Sequence, residues 1–423
     1  MNTPITHLRC LLCEAEHAWT PTLFTCPTCG GNLEVALDAD AVRDAHGPRG
    51  WVDDAATGIW RYHRLLPLRG DAEARTPLPV GGTPLIDGAR LLPEQGAPGR
   101  LMLKDDTRNP SASFKDRASA VALAYAVEQN ATIIAGASTG NAGSSMACLA
   151  ASLGRRAMIF IPAAAPKAKV AQILLHGAMV VRVDGTYDDA FDLCQRLSDR
   201  HGWFNRNTGT NPYTREGKKT VSFEIAEQLG WTAPDVVFVP VGDGNILSGV
   251  WKGFLDLHAV GALRYLPRLV AVQSIESNAV AEGWERLCTG KTELQRALRP
   301  VRATTLADSI SVDRPRDGFA ALRAIEESGG NAVQVTDDEI LEAASLLARR
   351  TGLFAEPAGA TALAGVLRWA STRGFSPDET AVALVTGSGL KDVDGLMKVA
   401  PKPVDVPRNM NEAWAVLEEK LQS

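Results

Sequence analysis

The sequence predicts an α/β protein built as two open-sheet α/β domains behind a small cysteine-bearing module. Three observations lead there. Short apolar runs alternate with helix-length segments from Ala131 onward. The alternation breaks near residue 205 and then starts again. Four cysteines also stand in pairs near the start of the chain. Apolar runs separated by helices require parallel strands joined by crossover helices, not hairpins. A length of 423 residues exceeds one ordinary domain and leaves room for two or three units.

The first unit, residues 1–36, holds Cys10, Cys13, Cys26 and Cys29 as C-x2-C-x12-C-x2-C. Each pair can turn two thiolates toward one point, and two such knuckles make a tetrahedral site for structural Zn²⁺. Two disulfides, or four unconnected thiols, use the same residues. Four thiolates leave no open coordination position, so a metal here holds structure and does not catalyse. Gly30 and Gly31 suit the tight turn of the second knuckle. Residues 37–118 are rich in Pro, Gly and charge up to about residue 100; they wrap the core and begin the large domain.

Residues 119–205 form the smaller domain. "ATIIAG", "RAMIFIP" and "AMVVRVDG" read as strands, and helices open at "STGNAG", "PKAKVAQILLHG" and "TYDDAFDLCQRLSDRHG". "WFNRNTGTNPYTREG" reads as irregular. Residues 206–405 form the large domain, with strands "DVVFVPVG", "RLVAVQS" and "ETAVALVTGSG". Its helices are "VSFEIAEQLG", "NILSGVWKGFLDLHAVG", "DEILEAASLLARRTG" and "GATALAGVLRWASTRG". A helix closes the chain at 406–423. No internal repeat or low-complexity tract interrupts the pattern.

Composition narrows the function. Apolar residues make up 45% and charged residues 22%, as in a soluble globular protein. A net charge of -5 speaks against nucleic acid and anionic membrane as partners. No apolar run reaches the roughly 18–20 residues of a membrane span. "MNTPITHLRCLLC" lacks the basic start and apolar segment of a signal peptide, so a cytoplasmic location is the expectation. His17, His63, His176, His201 and His258 show no paired ligand spacing, which disfavours a catalytic metal. Cys148, Cys194 and Cys288 lie in apolar helical contexts and read as small hydrophobes.

In "NPSASFKDRASA" a single lysine, Lys115, follows Phe114 where a loop becomes a helix. A solvated surface lysine is one reading; a partly buried amine able to join an aldehyde cofactor is the other. Three further loops follow buried strands, where parallel α/β sheets gather ligands. "GASTGNAG" offers Ser138, Thr139, Gly140 and Asn141 at a helix start, for a carboxylate or for plain capping. "VPVGDGNILSG" brings Gly242, Asp243, Gly244 and Asn245 before a helix, which suits a phosphate but does not match the dinucleotide pattern. "LVTGSGLKD" puts Thr386 directly after a strand.

In this order, with "RYHRLLP", "GGTPL", "KDDTRNPSASFKDR", "VWKGF" and "EPAGA", the segments resemble the fold-type II pyridoxal phosphate (PLP) enzymes, the tryptophan synthase β-subunit-like family. Within it they resemble the threonine synthases over nearly the whole chain, including the cysteine ribbon. The resemblance implies PLP held by Lys115 as the Schiff-base lysine, with Phe114 and Ile246 beside the cofactor. Asn141 would meet its ring hydroxyl, residues 242–245 its phosphate and Thr386 its pyridine nitrogen. Ser138, Thr139 and Gly140 would bind the substrate carboxylate. The implied substrate is a small phosphorylated amino acid, O-phosphohomoserine, and the implied assembly a homodimer. Asn211, Arg215 and Lys219 in "TNPYTREGKKT" are the expected substrate-phosphate clamp, alongside Lys218. Thr214 stands where threonine synthases carry arginine, and "VGDGNILSG" is closer to dehydratase loops. The alternative is β-elimination or β-replacement on another amino acid by an ammonia-lyase, dehydratase or phosphoserine-using synthase.

Overall fold

The computed structural model describes residues 5–70, 72–92, 97–163, 165 and 167–422. At the start, β1 (Ile5–Cys10), β2 (Glu16–Ala18) and β3 (Leu33–Leu37) pair antiparallel in the order β2-β1-β3. Leu8, Leu33 and Val35 are buried in one cluster with Tyr125, Phe204 and Tyr213, so this module is built into the protein and does not hang from it. Helix α1 (Ala39–His46) follows, capped by the Asp38 side chain accepting from the Ala41 amide. The stretch after α1 contributes to two hydrophobic clusters: Trp51 and Tyr62 enter one, Ile59 and Trp60 the other.

Two strands then lead into the large sheet, β4 (Leu85–Asp87) and β5 (Arg100–Asp105). Helix α2 (Lys115–Glu128) is alanine-rich and buried on nearly every side. The smaller sheet comprises β6 (Ile133–Ala137), β7 (Arg156–Pro162), β8 (Met179–Val183) and β9 (Phe204–Asn205), all parallel in the order β8-β7-β6-β9. Its crossovers are α3 (Asn141–Ser152), α4 (Lys167–Leu175) and α5 (Tyr187–His201). Helix α5 starts on a reciprocal Thr186–Asp189 capping box and stops at Gly202 in the left-handed conformation.

After α6 (Tyr213–Lys218) and α7 (Thr220–Gln228), the large sheet resumes with β10 (Val236–Pro240), α8 (Asn245–Ala259) and β11 (Arg268–Ser274). It continues through α9 (Ala279–Cys288), α10 (Leu294–Ala297), α11 (Gly318–Glu327) and β12 (Asn331–Val335). Helices α12 (Asp337–Thr351) and α13 (Pro357–Thr372) precede β13 (Thr380–Val385), then α14 (Val393–Leu396) and α15 (Met410–Gln422). The strand order is β12-β11-β10-β13-β5-β4, parallel except for β4 at the edge.

The α/β expectation holds, with differences in detail: the sequence does not mark α9, α11, β4 and β5, and two segments depart from their reading. "WFNRNTGTNPYTREG" is not wholly irregular: Phe204–Asn205 extends the small sheet and Tyr213–Lys218 is helical. Strand β12, "NAVQV", gave no apolar run because it is a half-buried edge strand carrying Asn and Gln. No helix among the described residues is long and apolar enough to cross a membrane.

Candidate active site

A cavity of about 580 Å³ opens where the carboxyl ends of the two sheets face each other. Lys115 lines it, together with residues 136–143 at the end of β6 and beyond, residues 206–208 after β9 and residues 240–244, 246 and 247 around the end of β10. Segment 308–316, Glu356, Ala358 and Thr386 close the far side. This is where twisted parallel sheets leave room for a ligand.

The lysine is aimed from below by a rigid segment. The Phe114 amide donates to the Thr386 carbonyl at 2.8 Å, and the Ser388 amide to the Ala112 carbonyl at 3.0 Å. Ala112 has φ 62, a left-handed conformation that costs an alanine energy and shows how tightly this turn is constrained. One residue past Lys115, the Asp116 carboxylate accepts from the Ser111 amide and hydroxyl, both at 2.6 Å. Next, Arg117 is clamped between Asp106 at 2.6 Å and Glu224 at 2.7 Å, and Lys104 joins Glu224 at 2.7 Å. The first turn of α2 therefore cannot rotate without breaking buried ion pairs. The Lys115 amine has no hydrogen-bond partner among the described residues, and burial lowers its pKa against the pull of Asp243 and Glu356. Such an amine reaches its neutral, nucleophilic form at lower pH than a surface lysine.

Opposite stands a row of backbone donors. The amides of Gly242, Asp243, Gly244, Ile246 and Leu247 have no acceptor among the described residues, and they converge at the start of the long helix α8. Gly244 has φ +95, and a side chain at Gly242 would lie 2.9 Å from the Ile310 Cα, so neither tolerates another residue. This nest can hold a phosphate. Ser138, Thr139 and Gly140 line the same cavity at the start of α3, able to receive a carboxylate. Thr386 presents its hydroxyl without a protein partner among the described residues. Phe114 is buried beneath the lysine and does not line the cavity.

Asn141 donates to Glu356 at 2.7 Å and approaches Ser309 at 3.3 Å. Burial pushes the Glu356 carboxyl up to about 7, with Asn141 and Lys115 opposing. In the sequence Glu356 stands only within the "EPAGA" segment, and nothing local discloses this pairing.

The expected phosphate clamp is not at the cavity. Arg215 donates to Asp317 at 2.5 Å, to Ser248 at 3.1 Å and to the Leu33 carbonyl at 3.1 Å. Lys219 is fully buried between Glu216 at 2.5 Å and Asp256 at 2.7 Å. Asn211 spends its side chain on the Asn205 carbonyl and the Tyr213 amide. Asn245 also turns away: its amide nitrogen donates to Asp317 at 2.8 Å and its oxygen receives Lys218. Folding turns each of these side chains against internal groups, and the Asp317 carboxylate that holds Arg215 and Asn245 lies far away in sequence, where no local spacing discloses it. Besides Lys115, the cationic side chains that line the cavity among the described residues are Arg206, Arg314 and Arg316. Arg206 sat unnoticed in the "NRN" of the irregular stretch; a charged residue flanked by amide side chains was the only signal.

The Sγ atoms of Cys10, Cys13, Cys26 and Cys29 all lie within 4.8 Å of one another. The Cys10–Cys29 and Cys13–Cys26 separations are 3.5 and 3.7 Å. A tetrahedron with metal–sulfur bonds of about 2.3 Å has edges of about 3.8 Å, so the four thiols fit Zn²⁺. His17 Nε2 lies 3.2 Å from Cys26 Sγ, a neighbour the spacing argument missed.

The profile of the family described as pyridoxal-phosphate dependent enzyme matches residues 76–387. The threonine synthase of Methanocaldococcus jannaschii is 34% identical over 413 residues, covering 97% of this chain and 99% of that protein. That of Mycobacterium tuberculosis is 35% identical over 353 residues, covering 82% and 93%. Among solved structures, a threonine deaminase isoform 2 from Solanum lycopersicum superimposes with TM-score 0.60 at 23% identity, over 75% of this chain and 87% of that one. Maize serine racemase does so with TM-score 0.60 at 21% identity, over 80% and 92%. At those identities the two structures speak for the fold alone. The chain belongs to the pyridoxal-phosphate dependent enzymes and, within them, to the threonine synthase family.

Proposed function

We propose that the protein converts O-phosphohomoserine and water to threonine and phosphate. The observation that carries the reading is a desolvated, unpartnered lysine facing an amide nest and an open hydroxyl in one cavity, in a chain similar to threonine synthases along almost its full length. PLP, when bound, supplies an aldehyde for the amine and an electron sink for the substrate carbons. Lys115 would hold the cofactor and, once freed by substrate, move a proton between the α- and β-carbons. Amides of residues 242–247 would carry the cofactor phosphate, and Thr386 would meet the ring nitrogen with a neutral hydroxyl. Asn141, oriented by Glu356, would donate to the ring oxygen. Ser138, Thr139 and Gly140 would hold the substrate carboxylate and so orient the γ-carbon from which phosphate departs.

The same proposal takes the cysteine module to hold one structural Zn²⁺, and the enzyme to act as a cytoplasmic homodimer. The test is to incubate purified protein with O-phosphohomoserine, and separately O-phosphoserine, following phosphate and the amino acid formed. Phosphate and threonine from the first alone support the assignment. Phosphate with ketobutyrate means elimination without water addition. No turnover on either substrate, from a yellow protein, discards threonine synthase and keeps the family.

A further inference from the structure

With Arg215 and Lys219 locked in internal ion pairs, the substrate phosphate of the proposed reaction needs a different cation. The residues after β9 offer one. Of the arginines lining the cavity, Arg316 is paired with Asp188 at 3.0 Å and only Arg206 is buried. Arg206 is 3% exposed and lines the main cavity. Its Nε and Nη2 donate to the Ser119 hydroxyl at 3.2 and 3.1 Å, and Nη1 to the Thr208 hydroxyl at 2.9 Å. Those acceptors are neutral. Asp243, Asp116 and Tyr187 act on Arg206 through space, but no carboxylate among the described residues stands within ion-pair distance of it. A buried guanidinium without a countercharge is costly unless an anion arrives to meet it. Three contacts also leave two of its five N–H donors free.

Its position is fixed relative to the chemistry. Ser119 lies one helical turn beyond Lys115 on α2, so the two share a face. The guanidinium that grips Ser119 therefore sits about one turn from the reactive amine, and the two charges sense each other.

A second donor stands beside it. Asn207, also 3% exposed and also lining the cavity, accepts from the Ala137 amide through Oδ1 at 2.7 Å. That bond assigns the amide orientation, and it leaves Nδ2 a buried donor with no oxygen or nitrogen acceptor, facing only the weakly accepting Cys194 thiol. A fork of charged and neutral N–H groups, desolvated and without an anionic partner, is what a phosphate monoester dianion requires.

We infer that Arg206 and Asn207 form the site for the substrate's phosphate. This rests on the function proposed above. The cofactor's phosphate already has the amide nest of residues 242–247, on the opposite sheet. Arg206 positions the leaving phosphate against the γ-carbon and neutralises the charge it carries away; inorganic phosphate, the product, binds the same fork.

The test uses the PLP-loaded enzyme and three variants: Arg206→Lys, Arg206→Met and the nearly isosteric Asn207→Asp. Inorganic phosphate binding is measured by calorimetry, KM and kcat for O-phosphohomoserine by phosphate release, and cofactor affinity from the absorbance of the bound chromophore. Arg206→Met and Asn207→Asp should each weaken phosphate binding and raise KM by at least about 30-fold. Arg206→Lys, keeping the charge without the fork, should lie between them and wild type. Cofactor affinity should stay within about 3-fold in all three. Parallel loss of cofactor affinity would reassign the fork to the cofactor phosphate, and unchanged phosphate binding and KM would reduce it to a structural contact; either overturns the inference. If wild-type enzyme does not turn over O-phosphohomoserine, the functional reading falls by itself. The phosphate titration then still decides, since Arg206-dependent binding sustains the site and its absence in wild type removes it.

Discussion

Glu224→Gln should destabilise the protein more than almost any other isosteric change. The carboxylate is 3% exposed and accepts from Arg117 twice at 2.7 Å, from Lys104 at 2.7 Å and from the Gly82 amide at 2.8 Å. Burial pushes its pKa up, but the Arg117 and Lys104 charges win and hold the carboxyl well below its usual range. An amide there leaves Arg117 and Lys104 buried with only Asp106 as countercharge and turns an N–H₂ toward one of the cations. Breaking a buried pair this way costs about 3–5 kcal/mol. An unfolding entropy near 2.1 cal/mol/K per residue makes each kcal/mol worth about 1 °C of Tm in a chain of this length, so Tm should fall by about 3–5 °C. Scanning calorimetry at fixed, saturating cofactor measures it, since cofactor binding itself raises Tm.

The pH dependence sharpens the test. A carboxyl with a depressed folded-state pKa contributes stability that is fully present above the unfolded value, near 4.3, and is lost as pH falls toward the folded value. The gap between wild type and Glu224→Gln should therefore be constant from pH 6 to 8 and narrow below about 4. An unchanged Tm at neutral pH, or a gap that persists undiminished in acid, would refute the argument that the network's charges hold α2 in place.

Lys115→Ala should yield folded, colourless protein without activity, read by absorbance and phosphate release; retained yellow colour would move the cofactor linkage elsewhere. Glu356→Gln probes the opposite sign. A carboxyl whose folded pKa is raised to about 7 binds its proton more tightly when folded, so wild-type stability falls as pH rises from about 4.5 to 7. The amide should remove that slope and leave the variant up to about 3 kcal/mol more stable than wild type at pH 8, by denaturant titration. Ala112→Gly should stabilise by about 0.5–1 kcal/mol, because glycine adopts the left-handed turn freely at some cost in unfolded-chain entropy. Chelation should remove about one zinc per chain, measured by metal analysis, and weaken cofactor binding as well. Asn32, beside the second knuckle, donates to Asp317 at 2.8 Å, and the Asp317 amide donates to the Asp243 carbonyl in the phosphate nest at 2.9 Å. Cofactor affinity indifferent to the metal would show that this chain of contacts transmits nothing.

The sequence by itself determined what local chemistry and periodicity carry. Apolar runs separated by helices already imply parallel sheets, the cysteine spacing already implies four converging thiols, and loops that follow buried strands already mark where Lys115, Asn141, Gly242 and Thr386 meet. These are properties of a residue and its near neighbours, so they survive in one dimension. Only the tertiary structure decided which charges are free. Arg215, Lys219 and Arg206 look alike in a string, all cations within 14 positions of one another. Helix α6 and the start of α7 turn the first two against Asp317, Glu216 and Asp256, whereas β9 delivers the third to hydroxyls beside Lys115. A cation's role depends on whether a countercharge lies within a few ångströms, and Asp317 is 102 residues from Arg215 in the chain. That distance, and with it the correction to the phosphate clamp, is set by packing alone.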